Sequence, residues 1–495
     1  MKEKISFSID NNTQLNRRES IEIPCELSRL NIWVQFPEDC RYLTFLFVED
    51  PDGSVRLQKQ LAYGEQHLQI ADTPERTSVG AVPGKIQKGK WTFQIYLFTE
   101  YVKHRKKDSI STLSLTVSDE DTLVTEPMCG NSWIEENMKI SSSKYRWNKK
   151  YQEKAGWFKG DFHTHTRLSD GKETVENAMK KAEMMDLDFY VPTEHNVMHT
   201  GWRTTDLCII PGIELTTDKG HMNLFGLTQM PEKLRDIILY NGTEKAETYL
   251  YDTLEEAQKK NWITSINHPF LTVWQWRYEE TPLDKIDCIE VINDPTYTYA
   301  EASNEKAVRF IDELWKDGHV IYGVGGSDSH NLIEERYEGA NLPSIAGDPA
   351  TYVYCENLTP ENILEGVRCG HVCVARYMTI ETQITVDGRK YLPGDRIPDH
   401  AEHVTYKIVT GAHKEMPEII LIEDGKKKIL PVKQTGKDQF MAEAKFTLDE
   451  NKWHWFRMEI RTADNKLAGY VNPVYRGSRT QRCRTFGEML RKMEE

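Results

Sequence analysis

The residues of this chain that could do chemistry are histidines and carboxylates placed just past short apolar runs. Gly160-Asp161-Phe162-His163-Thr164-His165 is followed by Ser169-Asp170-Gly171, and far downstream stands Gly325-Gly326-Ser327-Asp328-Ser329-His330. On an extended strand residues i and i+2 point to one side, so His163/His165 and Asp328/His330 each aim two ligands at one point. Imidazole and carboxylate together suit Zn, Fe or Mn. Further candidates lie between these pairs: Glu194-His195, Glu214 with His221 seven residues on, and Asn267-His268. Eight of the 15 histidines fall between His163 and His330, which argues for one centre rather than scattered structural imidazoles. Together His163, His165, Asp170, His195, Glu214, His221, His268, Asp328 and His330 would serve about three metals at three to five ligands each, sharing a carboxylate.

Other chemistries fit less well. Gly325-Gly326 lacks the Lys-Ser/Thr of a phosphate-binding loop, so its glycines are read as allowing close backbone approach to the ligands. No Ser/His/Asp or G-x-S-x-G arrangement is evident. His199 and Arg167 stand near the ligands in sequence and are candidates for protonating or contacting a substrate, as is Arg203. Glu194, Asn196 and Asn267 adjoin ligands and would orient them.

The elements that must position these residues follow from periodicity. Residues 1–120 read as β-structure, with Trp91, Phe93, Ile95 and Leu97 alternating and Pro51-Asp52-Gly53 marking a turn, and predict an N-terminal β-sandwich. Residues 121–156 are polar and predict a linker. From Trp157 the pattern becomes strand–loop–helix. Lys172–Asp186, Asn304–Lys316 and Thr359–Gly370 predict amphipathic helices between the short apolar strands Phe189–Val191, Cys208–Ile210, Trp262–Ile266, Cys288–Ile292 and Val320–Val324. That alternation predicts an α/β domain, a parallel sheet or a βα barrel, over residues 157–377. In a barrel the strand C-termini converge on one face. Period-two patterning returns over 378–475 and predicts a second β-sandwich, followed by a mixed-charge tail, 476–495.

Composition bounds the rest. A net charge of −14 argues against a duplex nucleic-acid surface, although bound cations would supply local positive charge to a phosphorylated substrate. Residues 1–12 carry no apolar leader segment, and no run of about 18 apolar residues appears. The nine cysteines form no C-x-x-C. These features predict a cytoplasmic protein with reduced thiols and no membrane partner.

The chain resembles the PHP (polymerase and histidinol phosphatase) superfamily and, within it, the CehA/McbA-like metallohydrolases. The resemblance rests on D-F-H-T-H-T, S-D-G, T-E-H-N, P-G-I-E-L-T, G-H-M-N-L-F-G, N-H-P and G-G-S-D-S-H, in the family's order across Trp157–Arg376. It is weaker in the flanks, where W-F-R-M-E-I and N-P-V-Y are the best pieces. It implies a distorted (βα)7 barrel holding up to three divalent transition metals. His163, His165, Glu214 and Asp328 would hold the first, and Glu214 would bridge to a second completed by His221 and His268. Asp170, His195 and His330 would hold the third. Glu194 stands where the family usually has Asp. The implied activity is hydrolysis by a metal-bridging hydroxide, with a phosphoester as the leading substrate class. Carbamate, ester or amide hydrolysis on the same metals is the alternative, and a metal-stabilised binding protein the non-catalytic one.

Overall fold

The computed structural model describes residues 1–10, 16–63, 66–98, 100–102, 110–134, 142–411, 415–449 and 453–495. Alternating apolar residues within the first 118 positions fold into two antiparallel four-stranded sheets. One is ordered Lys2–Ile9, Ser111–Ser118, Arg29–Gln35, Gln66–Ala71 and the other Asn16–Ile23, Gly89–Leu97, Thr44–Glu49, Val55–Gln60. Ile5, Phe7 and Ile32 of the first and Trp91, Phe93 and Ile95 of the second share one buried core, the sandwich expected from the period-two pattern. The following segment is not a free linker. Gly130–Ser132 pairs antiparallel with Gly201–Arg203, and Trp133 stacks near Trp202.

The central region is mixed α/β, and it is not a closed parallel barrel. One sheet places Gly156–Thr164 parallel to Phe189–Pro192, which is parallel in turn to Cys208–Ile209. Its other neighbour, Ala350–Cys355, is antiparallel. A second sheet runs Gly212–Thr217, Gly220–Phe225, Ile263–Ile266, Cys288–Asn293, Tyr322–Gly326, with only the last three strands mutually parallel. The two sheets meet through isolated bridges, Thr164 with Ser329 and His195 with Glu214, rather than through a continuous ladder. The expected all-parallel alternation fails at Thr217-Asp218-Lys219-Gly220. There Thr217 pairs with Gly220 across a two-residue loop, and Gly220 adopts φ +126°. So short a loop can join only antiparallel strands. Five helices lie among the described residues of this region: Val175–Met184, Leu234–Leu239, Glu244–Lys260, Ala300–Asp317 and Pro360–Arg368.

The first central sheet continues past Val372–Ala375 into Leu467–Val471, His454–Arg461, Glu418–Glu423 and Lys426–Ile429. A five-stranded sheet containing Ile380–Val386, His403–Gly411 and Gln439–Thr447 packs on it, burying Ile384, Tyr406 and Ile408 against Ile419 and Phe456. The C-terminal sandwich therefore shares a sheet with the central region. In the tail, Thr485 and Glu488 form a capping box at the start of helix Phe486–Glu494, and Phe486 packs 4.6 Å from Phe310. No helix among the described residues is long and apolar enough to cross a membrane.

Candidate metal centre

Strand Gly156–Thr164 is buried from Gly160 to its end and delivers His163, with His165 just beyond. Asp161, three residues inside that end, fixes the local geometry. Its Oδ1 accepts the N–H of His163 (3.0 Å) and of Ser327 (3.1 Å), and its Oδ2 that of Gly347 (2.7 Å). One buried carboxylate thereby binds both ligand-bearing strand ends to a third segment. Burial pushes its carboxyl up to about 6. Where Tyr322–Gly326 ends, the Asp328 N–H donates to the His163 carbonyl (2.8 Å) with Asp328 at φ +51°. A Cβ on Gly326 would sit 2.2 Å from that of His163, so only glycine admits this approach.

Glu214 lies at the centre. Its Oε1 is 3.2 Å from His163 Nε2, 3.1 Å from His221 Nδ1 and 3.5 Å from His268 Nε2. Its Oε2 is 2.7 Å from His195 Nδ1 and 3.5 Å from His165 Nε2. Asp328 Oδ1 lies 3.3, 3.1 and 3.4 Å from ring nitrogens of His163, His165 and His330. Asp170 Oδ1 lies 3.4 Å from His195 Nε2 and 3.2 Å from His330 Nε2. All nine side chains singled out in the sequence are thus brought together. They form four overlapping groups with mutual ligand-atom distances within 4.8 Å: His165/Asp170/His195/His330, His163/His165/Glu214, His163/His268/Asp328 and His195/Glu214/His221. The grouping differs from the implied partition in placing His268 with His163 and Asp328, and His165 with the Asp170 set.

Several inward polar atoms of this cluster are buried without a hydrogen-bond partner: His163 Nε2, both His165 nitrogens, Asp170 Oδ1, Glu214 Oε2, Asp328 Oδ1 and His268 Nδ1. Buried polar atoms left this way are costly, and a divalent cation among them would satisfy several at once. The electrostatics agree. Against burial, His163, His195 and His221 hold Glu214 well below the usual carboxylate range. Also against burial, Asp170 and Asp328 raise His330 to about 10, whereas burial beside His330 and His195 lowers His165 to about 4. The carboxylates draw positive charge into the cluster, and the donor set is the N/O mixture that suits Zn, Mn or Fe.

The residues that hold the ligands are partly those expected. Asn267 Nδ2 donates to Glu214 Oε1 (2.8 Å). Asn196, at φ +52°, clamps both backbone groups of Thr216 with its amide and touches no ligand side chain. Glu194 accepts the N–H and hydroxyl of both Thr166 and Ser169, shaping the turn between His165 and Asp170. Against burial, His199 and His165 help lower its carboxyl to about 2. Glu290 was not anticipated. Its Oε1 is 3.0 Å from His163 Nδ1, and its Oε2 accepts the N–H of His268 (2.8 Å) and the amide of Asn293 (3.0 Å). A lone acid inside the apolar strand C-I-E-V-I-N was the available signal.

Three expected substrate contacts fall elsewhere. His199 is buried with Nε2 2.8 Å from Glu194 and its ring against Trp202, on the far side of Glu194 from the ligands. Arg167 pairs with Glu126 (3.1 Å) and lies over the Tyr63 ring. Arg203 pairs with Glu176 (3.5 Å) in a cleft of about 820 Å³ that contains none of the nine residues. The cavity that does open onto the cluster measures about 270 Å³. Asp170, His195, His221, His268, Asp328 and His330 form its floor, and Leu271, Trp274, Asp294, Tyr297 and Tyr337 its walls. Tyr337 donates to Asp294 Oδ2 (2.7 Å), and burial together with nearby Asp328 pushes the Asp294 carboxyl up to about 7.

No family model and no curated protein matches this chain. Among solved structures it is similar to a two-domain Bacteroides vulgatus protein containing a predicted PHP-like metal-dependent phosphoesterase. Identity there is 16%, covering 66% of this chain and 99% of that one, with a TM-score of 0.35. It is also similar, over 24% of this chain and 84% of that one, to Aeromonas hydrophila PliG, a periplasmic inhibitor of g-type lysozyme, at 16% identity and a TM-score of 0.14. TM-scores this low carry no conclusion about this chain, and its reading rests on its own geometry.

Proposed function

We propose that this protein is a metal-dependent hydrolase of the PHP type whose substrate is a small phosphoester. The observation that carries the reading is the convergence of nine His, Asp and Glu side chains, with buried unsatisfied atoms, on the floor of an open cavity. When bound, divalent metals supply Lewis acidity and a water-derived nucleophile at neutral pH. The chain's own residues do the rest. Glu214 spans two ligand groups through its two oxygens and so sets their separation. Glu290 and Asn267 fix the orientations of His163 and Glu214. Asp294 stands on the cavity wall with its carboxyl held by the Tyr337 hydroxyl and is placed to pass a proton to a leaving-group oxygen.

One observation favours a second reading. The described walls carry Leu271, Trp274, Tyr297 and Tyr337 and no Lys or Arg, while Arg167 and Arg203 lie elsewhere. A neutral carbamate or ester would suit such walls, whereas a phosphoester would depend on the metals alone for charge neutralisation. Protein purified without chelator should contain about two or three equivalents of Zn, Mn or Fe by mass spectrometry. It should then be assayed side by side on a phosphomonoester, a phosphodiester and an aryl carbamate. Cleavage of a phosphoester with competitive inhibition by inorganic phosphate is the expected result. Carbamate cleavage untouched by phosphate would select the second reading, and less than one equivalent of any metal would end both.

A further inference from the structure

A second cavity, also about 270 Å³, lies where the N-terminal sandwich meets the loop that carries Asp170. Lys59, at the end of strand Val55–Gln60, lines it and is only 5% exposed. Its ammonium donates to the Arg167 carbonyl, one acceptor for three N–H groups. Among the described residues no carboxylate comes within ion-pair distance of it; Glu126 and Glu194 act on it only from further away. Burial accordingly lowers its pKa to about 8. A buried ammonium without a counter-ion is unfavourable unless an anion joins it. Lys59 has the cavity beside it.

The remaining walls define the rest of an occupant. Trp33 stacks one face on His67 at 4.0 Å and 11°, and keeps 43% of its surface exposed. His67 is held in turn by Asn31 (2.9 Å). Arg167 sits over Tyr63 and adds a second cation. Gln66 Oε1 is a buried acceptor without a hydrogen bond, while Glu126 Oε1 is engaged by Arg167 (3.1 Å). A flat aromatic face beside a buried ammonium, with Arg167 flanking it, suits a small planar anion.

We propose that this cavity is a binding site, separate from the metal centre, for a small aromatic carboxylate whose ring lies against Trp33 and whose charge is met by Lys59 and Arg167. The same strand end grips the loop beneath: Tyr63 donates its hydroxyl to the Asp170 carbonyl (2.5 Å), and the Gln60 N–H donates to Leu168 (3.3 Å). An anion that draws Lys59 away from the Arg167 carbonyl would therefore shift the Asp170 loop. This coupling, unlike the binding, rests on Asp170 being a metal ligand.

Calorimetric titration of the full-length, metal-loaded protein with benzoate tests the proposal. Saturable binding is expected, weakened at least about 10-fold in Lys59→Met, where the counter-charge is lost. Trp33→Ala should weaken it about 3- to 10-fold, Lys59→Arg should retain most of it, and acetate, which has a charge but no ring, should bind at least about 10-fold more weakly. Equal benzoate affinity in wild type and Lys59→Met places the ligand at the metals or on the surface and overturns the proposal. So does the absence of saturable heat at about 10 mM benzoate. Should Lys59→Met fail to fold, Trp33→Ala and Arg167→Gln carry the same comparison, and unchanged affinity in both overturns it. Benzoate that binds as expected but leaves metal affinity unaltered removes the coupling alone.

Discussion

Two clusters of buried charge sit in this molecule, and they are built on opposite plans. In the first, Arg457 is fully buried and reaches Asp312 with two bonds (2.8 and 2.9 Å) and Glu459 with a third (2.9 Å). Arg461 joins Glu459 to Glu305 with bonds of 2.7 and 2.8 Å. Cations and anions alternate, and the network ties strand His454–Arg461 to helix Ala300–Asp317. In the second, imidazoles and carboxylates face one another, several with no hydrogen bond on their inward atoms. In the first cluster each carboxylate is met by a cation of the chain and only Arg457 Nη1 is left without a bond, so its work is structural. The second leaves several such atoms open on both its imidazoles and its carboxylates, the arrangement on which the proposed metal-binding role rests. Burial of charge alone does not mark a functional site; the state of its inward-facing atoms does.

The largest effect should come from breaking the first cluster. Arg457→Met leaves Asp312 buried without its partner and Glu459 with Arg461 alone inside the cluster, and should cost about 3–5 kcal/mol in urea unfolding, while the folded fraction keeps its metal. Loss of metal without loss of stability would mean the two clusters are not independent. The next largest belongs to the second cluster: Glu214→Gln should cut turnover at least about 100-fold, more than any single His substitution, because one carboxylate serves two ligand groups. It should also lower metal content without lowering stability comparably. Unchanged turnover and metal would show that Glu214 is not a bridge. Glu290→Gln sharpens the contrast further. It touches ligands only through hydrogen bonds and should weaken metal affinity about 10- to 100-fold by competition with a chromogenic chelator. The smallest effect is expected of Arg203→Gln, which should alter KM and kcat by less than about 2-fold, since a half-exposed ion pair to Glu176 contributes little. A larger rise in KM would return Arg203 to the substrate.

How much of this was legible beforehand depended on the range of the interaction. Most of the nine ligand-type residues could be picked out by local grammar, an apolar run and then a polar residue near the strand end, although Glu214 and His221 lie inside strands Gly212–Thr217 and Gly220–Phe225. Three of the five central helices among the described residues followed from stripes such as Ala307, Val308, Ile311 and Leu314, with Gly318 stopping the longest at φ +93°. Leu234–Leu239 and Glu244–Lys260 were not expected. The sandwich at the N-terminus followed from alternation. The Glu214–His221 hairpin was missed because a run of short apolar strands does not announce its direction, and Asp218-Lys219 is a weak turn signal. Arg167, Arg203 and His199 lie away from the cavity over the ligand cluster because nearness in sequence is not nearness in space: five residues past Glu194, His199 bonds back to that carboxylate and packs on Trp202.

The sequence by itself determined which side chains have metal chemistry and which segments present them, because ligand type and strand or helix period are properties of neighbouring residues. Only the tertiary structure decided which oxygen of Glu214 meets which imidazole, that Glu290 and Asp161 hold the ligands, and that the cavity wall is aromatic with Asp294 in it. It also decided that Lys59 is buried beside the Asp170 loop with no carboxylate of the described residues at ion-pair distance. Those facts join residues up to 186 positions apart, as Asp161 and Gly347 are. Contacts at such separations are set by how sheets pack and cross, and no local pattern encodes them.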